Sequence, residues 1–384
     1  MEDFQSWIPT SESKSTLSEE TSFSSLESSA NPKSTNFHCY IASLGTLASQ
    51  ISCLAVNENS LYATSLNEIS VFSLTNYALI DTFSCSDSAS GLVKFIAFSD
   101  RKIFTAHQDC KIRVWQMTSS NKHRLISTLP TFKDRLCRCM LAKNYVQVRR
   151  HKQKLWIEHS DTVSCLAVNN GLMYSASWDK SFKTWKISDM NCLESMKNVH
   201  SDAVNAIVVS VNDLIYTASA DGHIKVWEKV GKTHKLLTLL DKHTSSVNAL
   251  SLKNDGSVLF SGGGDQIIFV WEREDSANFM VVKRSLAGHR GAILCLFYVN
   301  NTLLSGSSDK TIRIWQEFKE GYCCLGILEG HCKPIKSIVA VSDGDLDDNL
   351  SVFSGSLDGE IRVWNITIST RVFTESLITS SDRD

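Results

Sequence analysis

Histidine, aspartate and hydroxyl side chains build nucleophile triads and metal sites, and this 384-residue chain sets them at a repeated spacing. Asp109, Asp179, Asp221, Asp265, Asp309 and Asp358 each stand six positions before a tryptophan: Trp115, Trp185, Trp227, Trp271, Trp315 and Trp364. Each also stands four positions after a hydroxyl: Thr105, Ser175, Thr217, Ser261, Ser305 and Ser354. Five of the groups are preceded by a histidine, at His159, His200, His243, His289 and His331. A His–Asp–Ser set invites a catalytic reading, but six near-copies in one chain point to structure. An imidazole can bridge a buried carboxylate and a hydroxyl, and that hydroxyl can reach the indole N–H. Every polar group in an apolar setting is then satisfied. Each charge-assisted bond of this kind contributes about 1.5–3 kcal/mol, and a buried Trp removes roughly 150–250 Å² from water.

Other candidate chemistry fails on geometry or spacing. The tripeptide His-Ser-Asp occurs at 159–161 and 200–202, but adjacent residues cannot converge as a triad. Gly262–Gly264 before Asp265 lacks the Gly-Lys-Ser/Thr ending of a phosphate loop. The acidic stretch 343–349 (DGDLDDN) resembles a calcium loop, yet has Asp348 where Gly is required and Ser354 in place of the bidentate Glu. Cys137 and Cys139 have no second pair, and Cys323 and Cys324 are adjacent, so neither has zinc spacing. No catalytic, cofactor or metal residue is assigned.

The elements that must position these groups are short strands. Taking Phe72 as a first, degenerate marker, positions 72, 115, 185, 227, 271, 315 and 364 fall 42 to 49 residues apart, except for one interval of 70. Period-2 strands at that repeat length suit a propeller of four-stranded sheets. The segment LAGHRGAILCLFYVNNTLLSGSSDKTIRIW (286–315) resembles the WD40 repeat, and the resemblance covers roughly residues 38–366. It implies an all-β, seven-bladed WD40 β-propeller, with domain bounds 37–366. The repeats end in WK, WE, WQ or WN instead of WD. The last stops after its third strand, so an N-terminal strand at Cys39–Leu47 is expected to complete it and hide a sheet edge. Blade 1 has Leu47, Asn67 and Phe72 at the His, Asp and Trp positions, and blade 2 has Ala89 at the His position. These two blades are expected to be less rigid.

The 70-residue interval holds an insert, about 118–153, expected before an outer strand at Lys154–Glu158 on the face opposite the His and Asp loops. Between Lys122 and Lys154 it carries ten Lys/Arg against one acidic residue, Asp134. The stretch LPTFKDRLCRCMLAKNYVQVRRHKQKLWIEHSDTVSCLAV (129–168) is similar to the plant Jingubang-like WD40 proteins, which implies a plant regulatory protein. Arg149, Arg150, Lys152 and Lys154 would serve a solvated hairpin, an acidic protein partner or nucleic acid. Residues 1–36, with eleven Ser and a net charge near −4, are expected to be disordered, and 367–384 to be a flexible tail.

A net charge of −2 gives no whole-molecule attraction to nucleic acid or anionic membranes. No long apolar run and no signal-like start are present, so a cytoplasmic or nuclear, non-secreted protein with reduced thiols is expected. The residue before each structural Asp sits on a turn beside the central opening. Leu357, Leu66, Gln108 and Trp178 would form one contiguous sector of large side chains, while Ala220, Gly264 and Ser308 form a flat one. Protein partners on that sector are expected, with a single propeller inside a larger complex. The alternative, a ubiquitin-ligase substrate receptor, often carries Arg three residues after a repeat Trp. Here those positions hold Thr118, Ser188, Val230, Glu274, Phe318 and Thr367.

Overall fold

The computed structural model describes residues 38–367 apart from 48, 86–89, 119–121, 275–276, 319–320 and 343–348. The expected disordered segment 1–36, the tail from 368, Ala89 and most of the acidic loop lie outside the described residues.

Seven four-stranded antiparallel sheets follow one another along the chain, at 51–84, 93–129, 163–196, 204–241, 247–286, 293–328 and 335–367. The last of these has only three strands of its own. His38–Thr46 supplies the fourth, running antiparallel to Glu360–Thr367 with Tyr40 opposite Trp364. The ring therefore closes through the N-terminal strand, and the Tyr40 ring meets Trp364 edge-on at 5.6 Å.

Each innermost strand begins with a branched residue: Ile51, Val93, Val163, Val204, Val247, Ile293 and Ile335, all 0% exposed. Branched side chains suit a pleated, buried surface, and these seven face the second strand of the preceding blade. Close approach there demands a small residue. A Cβ on Gly262 or Gly355 would lie 2.5 Å from Cγ2 of Ile293 or Ile51. The apolar clusters consequently span adjacent blades; Leu61 and Phe72 of blade 1 pack with Phe353 and Val363 of blade 7. Two outer staples repeat the principle with polar groups. His123 of blade 2 bonds Asp81 of blade 1 at 2.8 Å, and His234 of blade 4 bonds Glu194 of blade 3 at 2.5 Å.

The insert differs from expectation. The outer strand of blade 2 is His123–Leu129, paired with Ile112–Met117, so the extra chain follows the outer strand and does not precede it. It therefore leaves and rejoins the ring on the face that carries the His loops and the second-to-third strand turns. Lys154–Glu158 is not an outer strand. Lys152–Leu155 pairs with Tyr145–Arg149 in a separate two-stranded hairpin. Ahead of the hairpin lies a helix, Phe132–Cys139, whose first turn is capped by the Thr131 hydroxyl accepting from the Asp134 N–H at 3.1 Å. Leu155 and Ile157 insert into the apolar cluster between blades 2 and 3.

Candidate docking face at the channel mouth

Five blades hold the same four-residue relay. The indole N–H of Trp185, Trp227, Trp271, Trp315 and Trp364 donates to Ser175, Thr217, Ser261, Ser305 and Ser354 at 2.8–2.9 Å. Each hydroxyl meets Nε2 of His159, His200, His243, His289 or His331 at 2.8–2.9 Å. The opposite ring nitrogen, Nδ1, lies 2.8–3.2 Å from Asp179, Asp221, Asp265, Asp309 and Asp358. The same carboxylates accept backbone N–H groups from the His loop, such as Ser160 at 2.8 Å and Arg290 at 2.9 Å. Burial holds all five histidines below the ordinary imidazole value, against the pull of their carboxylates. A neutral ring with Nδ1–H facing the carboxylate leaves Nε2 to accept from the hydroxyl, so each donor has an acceptor. The relay clamps the His loop to the turn that precedes the third strand, and those turns form the rim of the channel.

Blade 2 builds the relay from other residues. Trp115 donates to Thr105 at 2.9 Å, but the imidazole comes from His107, two residues along the same strand, with Nε2 2.8 Å from the Thr105 hydroxyl. Asp109 is held by Arg113, whose guanidinium is 2% exposed and makes bonds of 2.7 and 3.1 Å to the two carboxylate oxygens. Burial, reinforced by Arg113, pushes His107 down to about 3. Five other blades place serine where His107 stands, as at Ser177 and Ser307, and blade 5 places Gly263, so the signal was a histidine in a column of small residues. The link from imidazole to carboxylate is missing in blade 2: among the described residues His107 Nδ1 has no hydrogen-bond partner, and Asp109 is tied to Arg113 instead. In blade 1 Phe72 and Ala63 are buried and Leu47 packs against them. There the polar relay is replaced as a whole by apolar contacts.

On this rim Leu66 is 45% exposed with φ +56°, and Trp178 is 39% exposed. Leu357 is half-buried, and Leu357 and Trp178 both line the central cavity of about 590 Å³. Gln108 is exposed, but its side chain turns back to accept from the Leu92 N–H at 3.3 Å. The structure thus brings Trp178 and Leu357 to the channel, while Gln108 braces its own loop. Sequence reasoning missed Lys94 and Lys336, which also line the cavity; the Lys94 ammonium lies 5.1 Å from the Trp178 ring centroid.

The basic insert is tied down by its own groups. Arg138 bonds Asp134 at 2.6 Å, donates to the Cys192 carbonyl at 3.3 Å and stacks 4.6 Å over Trp156. Lys154 donates to the His159 carbonyl at 2.9 Å, and Arg149 pairs with Lys152 through the hairpin backbone. Arg150 and Lys152 are exposed, as are Phe132 and Met140. The only cluster of metal-binding residue types among the described residues is His331, Asp358 and Glu360. Its histidine and aspartate already belong to the blade 7 relay, and Glu360 bonds Arg362 at 2.9 Å. The twelve cysteines are free thiols, and burial pushes Cys53 up to about 11 and Cys165 to about 12. Among the described residues no helix is long and apolar enough to cross a membrane.

Residues 151–186, 280–316 and 322–365 match the family model described as WD domain, G-beta repeat. Residues 199–280 match the model described as tRNA methyltransferase TRM82 WD40 domain. The chain is similar to an uncharacterized WD repeat-containing protein of Schizosaccharomyces pombe, 23% identical over 229 residues, covering 56% of this chain and 58% of that protein. It is similar to the DENN domain and WD repeat-containing protein SCD1 of Arabidopsis thaliana, 26% identical over 206 residues, with 54% and 16% covered. An F-box/WD-40 repeat-containing protein of Arabidopsis thaliana is 25% identical over 232 residues, with 58% and 42% covered. The chain spans less than two thirds of the length of each of these relatives.

Proposed function

We propose, for a chain that belongs to the WD40-repeat family and folds as its seven-bladed propeller, a role as a non-catalytic adaptor. Partner proteins dock across the channel mouth in the sector of Leu357, Leu66, Gln108 and Trp178. The observation that carries this reading is Trp178, a tryptophan 39% exposed beside a cavity. Its counterparts on the far side of the ring are Ala220, Gly264 and Ser308. Large aromatic side chains at a concave, half-desolvated site are favoured as interface anchors. The relays are spent on satisfying one another, so they support scaffolding and not turnover. The likeness of the insert to the Jingubang-like proteins supports a plant regulatory setting, in the cytoplasm or nucleus.

The test is affinity purification with mass spectrometry, comparing the wild-type chain with Trp178→Ala. Loss of partners from a normally melting variant is expected. Full retention would overturn the docking face.

A second reading, substrate receptor of a ubiquitin ligase, is supported by the F-box in one relative's name. It is opposed by the absence of Arg at the third position after each repeat Trp. Nucleic-acid binding through the insert is supported by the exposed Arg150 and Lys152, with Lys133 and Lys143 exposed as well. Trp156 is stacked under Arg138, so its ring is not offered for base stacking, whereas Tyr145 keeps an exposed ring while its hydroxyl donates to the Cys139 carbonyl at 3.2 Å. A salt-dependent shift assay on an insert deletion tests it.

A further inference from the structure

The second residue of each innermost strand lines the cavity, and around the ring these are Ser52, Lys94, Ser164, Asn205, Asn248, Leu294 and Lys336. Three of them do a shared job. Ser164 donates to the Val204 carbonyl at 2.6 Å, Asn205 to Val247 at 3.0 Å and Asn248 to Ile293 at 2.9 Å, each reaching the next blade. Lysine at 94 and 336 breaks this pattern. Among the described residues neither ammonium has a carboxylate partner, and no Asp or Glu lines the cavity. Blades 7, 1 and 2 are neighbours, so the two lysines flank Ser52 at one side of the mouth. Burial, and then the charge of Lys336, pushes Lys94 below the ordinary lysine value. The Trp178 face offers Lys94 a counterweight, a cation–π contact at 5.1 Å.

We infer that the channel mouth binds an anionic group, a phosphoryl or carboxylate carried by the docking partner, between Lys94 and Lys336. This deepens the docking reading above and rests on it for the identity of the carrier. A cation is disfavoured, because the lining supplies no carboxylate. An anion relieves the repulsion between two like charges placed in a half-enclosed site, where they interact more strongly than in open water. The Ser52 hydroxyl and Gln50 amide, both in the lining, add neutral donors. Trp178 would then act as one wall of the anion site as well as an apolar anchor.

The experiment is isothermal titration of the full chain with inorganic pyrophosphate and, separately, with succinate, at low salt. Saturable binding of at least one probe is expected. The tighter probe assigns the group: pyrophosphate a phosphoryl, succinate a carboxylate. The Lys94→Gln/Lys336→Gln variant should lose about tenfold or more in affinity. Lys152→Gln, in the insert, should change nothing. The double variant should melt no lower than wild type, since it removes two unpaired charges and no described hydrogen bond. Undiminished binding by that variant, or no saturable binding of either probe by the wild type, would overturn the inference. A chain that binds the probe while Trp178→Ala retains every partner would instead sink the docking reading and leave the anion site standing.

Discussion

Arg113→Met removes the guanidinium from blade 2 while keeping a stem of similar reach. Its two bonds to Asp109, 2.7 and 3.1 Å long, disappear from a group 2% exposed, together with the 3.2 Å bond from Nε to the Cys85 sulfur. Asp109 keeps the Lys111 N–H at 3.2 Å and the Lys111 ammonium at 3.6 Å, but that lysine is 43% exposed and is a weak substitute. Removing one partner of a buried pair costs about 3–5 kcal/mol, because the other charge is left uncompensated. Asp109→Asn alone leaves an unpaired guanidinium and should cost a similar amount. The two changes together should cost less than their sum by about 1.5–3 kcal/mol. Equilibrium urea unfolding, followed by tryptophan fluorescence with the slope checked for constancy, measures all four proteins. Burial alone would raise the Asp109 carboxyl, and Arg113 brings it below the ordinary value. Its folded value is depressed, so the pair's contribution is present above the unfolded value of about 3.9 and fades as pH falls through the folded one. A loss under about 1 kcal/mol for Arg113→Met, or strictly additive changes, would refute a clamped blade 2.

Acid should destabilise the ring before ordinary carboxylates titrate. His107 is pushed to about 3 by burial, and the five relay histidines are lowered in the same sense. The unfolded chain takes up protons near pH 6.5 that the folded one refuses, so stability is complete well above that value and falls as pH drops below it. Melting temperature measured from pH 7.5 to 4.5 should decline steadily, and a flat profile would contradict neutral buried rings. Gly355→Ala should destabilise by about 1–3 kcal/mol through overpacking, because its new Cβ would meet Ile51 across the blade 7–blade 1 contact at 2.5 Å. Calorimetry of that variant checks it.

The fold was legible because a buried hydrogen-bond relay tolerates few residue types and fixes their separations. Tryptophan and its hydroxyl partner are ten positions apart in six blades, with the indole bond made in every one. Blade 2 escaped the same logic because physics requires an imidazole near the hydroxyl, not a histidine at one position; His107 reaches Thr105 from the strand itself. The insert was misplaced because outer strands carry little pattern. In His123–Leu129 three consecutive residues, Arg124 to Ile126, are exposed and only Leu129 is buried, so the strand carries no apolar alternation to mark it. The pairing of Lys94 with Trp178 is a contact between blades 2 and 3, which no local spacing encodes.

The strand His38–Thr46 precedes every other strand of the propeller along the chain, yet its partner Glu360–Thr367 follows all the rest. Six sheets can assemble as they leave the ribosome, but the seventh waits for Glu360–Thr367 and for a loop closure that spans the other six sheets. Until then Glu360–Thr367 presents a bare edge able to recruit the same strand from another molecule. Proteolytic removal of His38–Thr46 would recreate that half-finished state in mature protein. The vulnerability of this ring thus lies in blade 7, where the strand from one end of the propeller is fastened to the strand from the other.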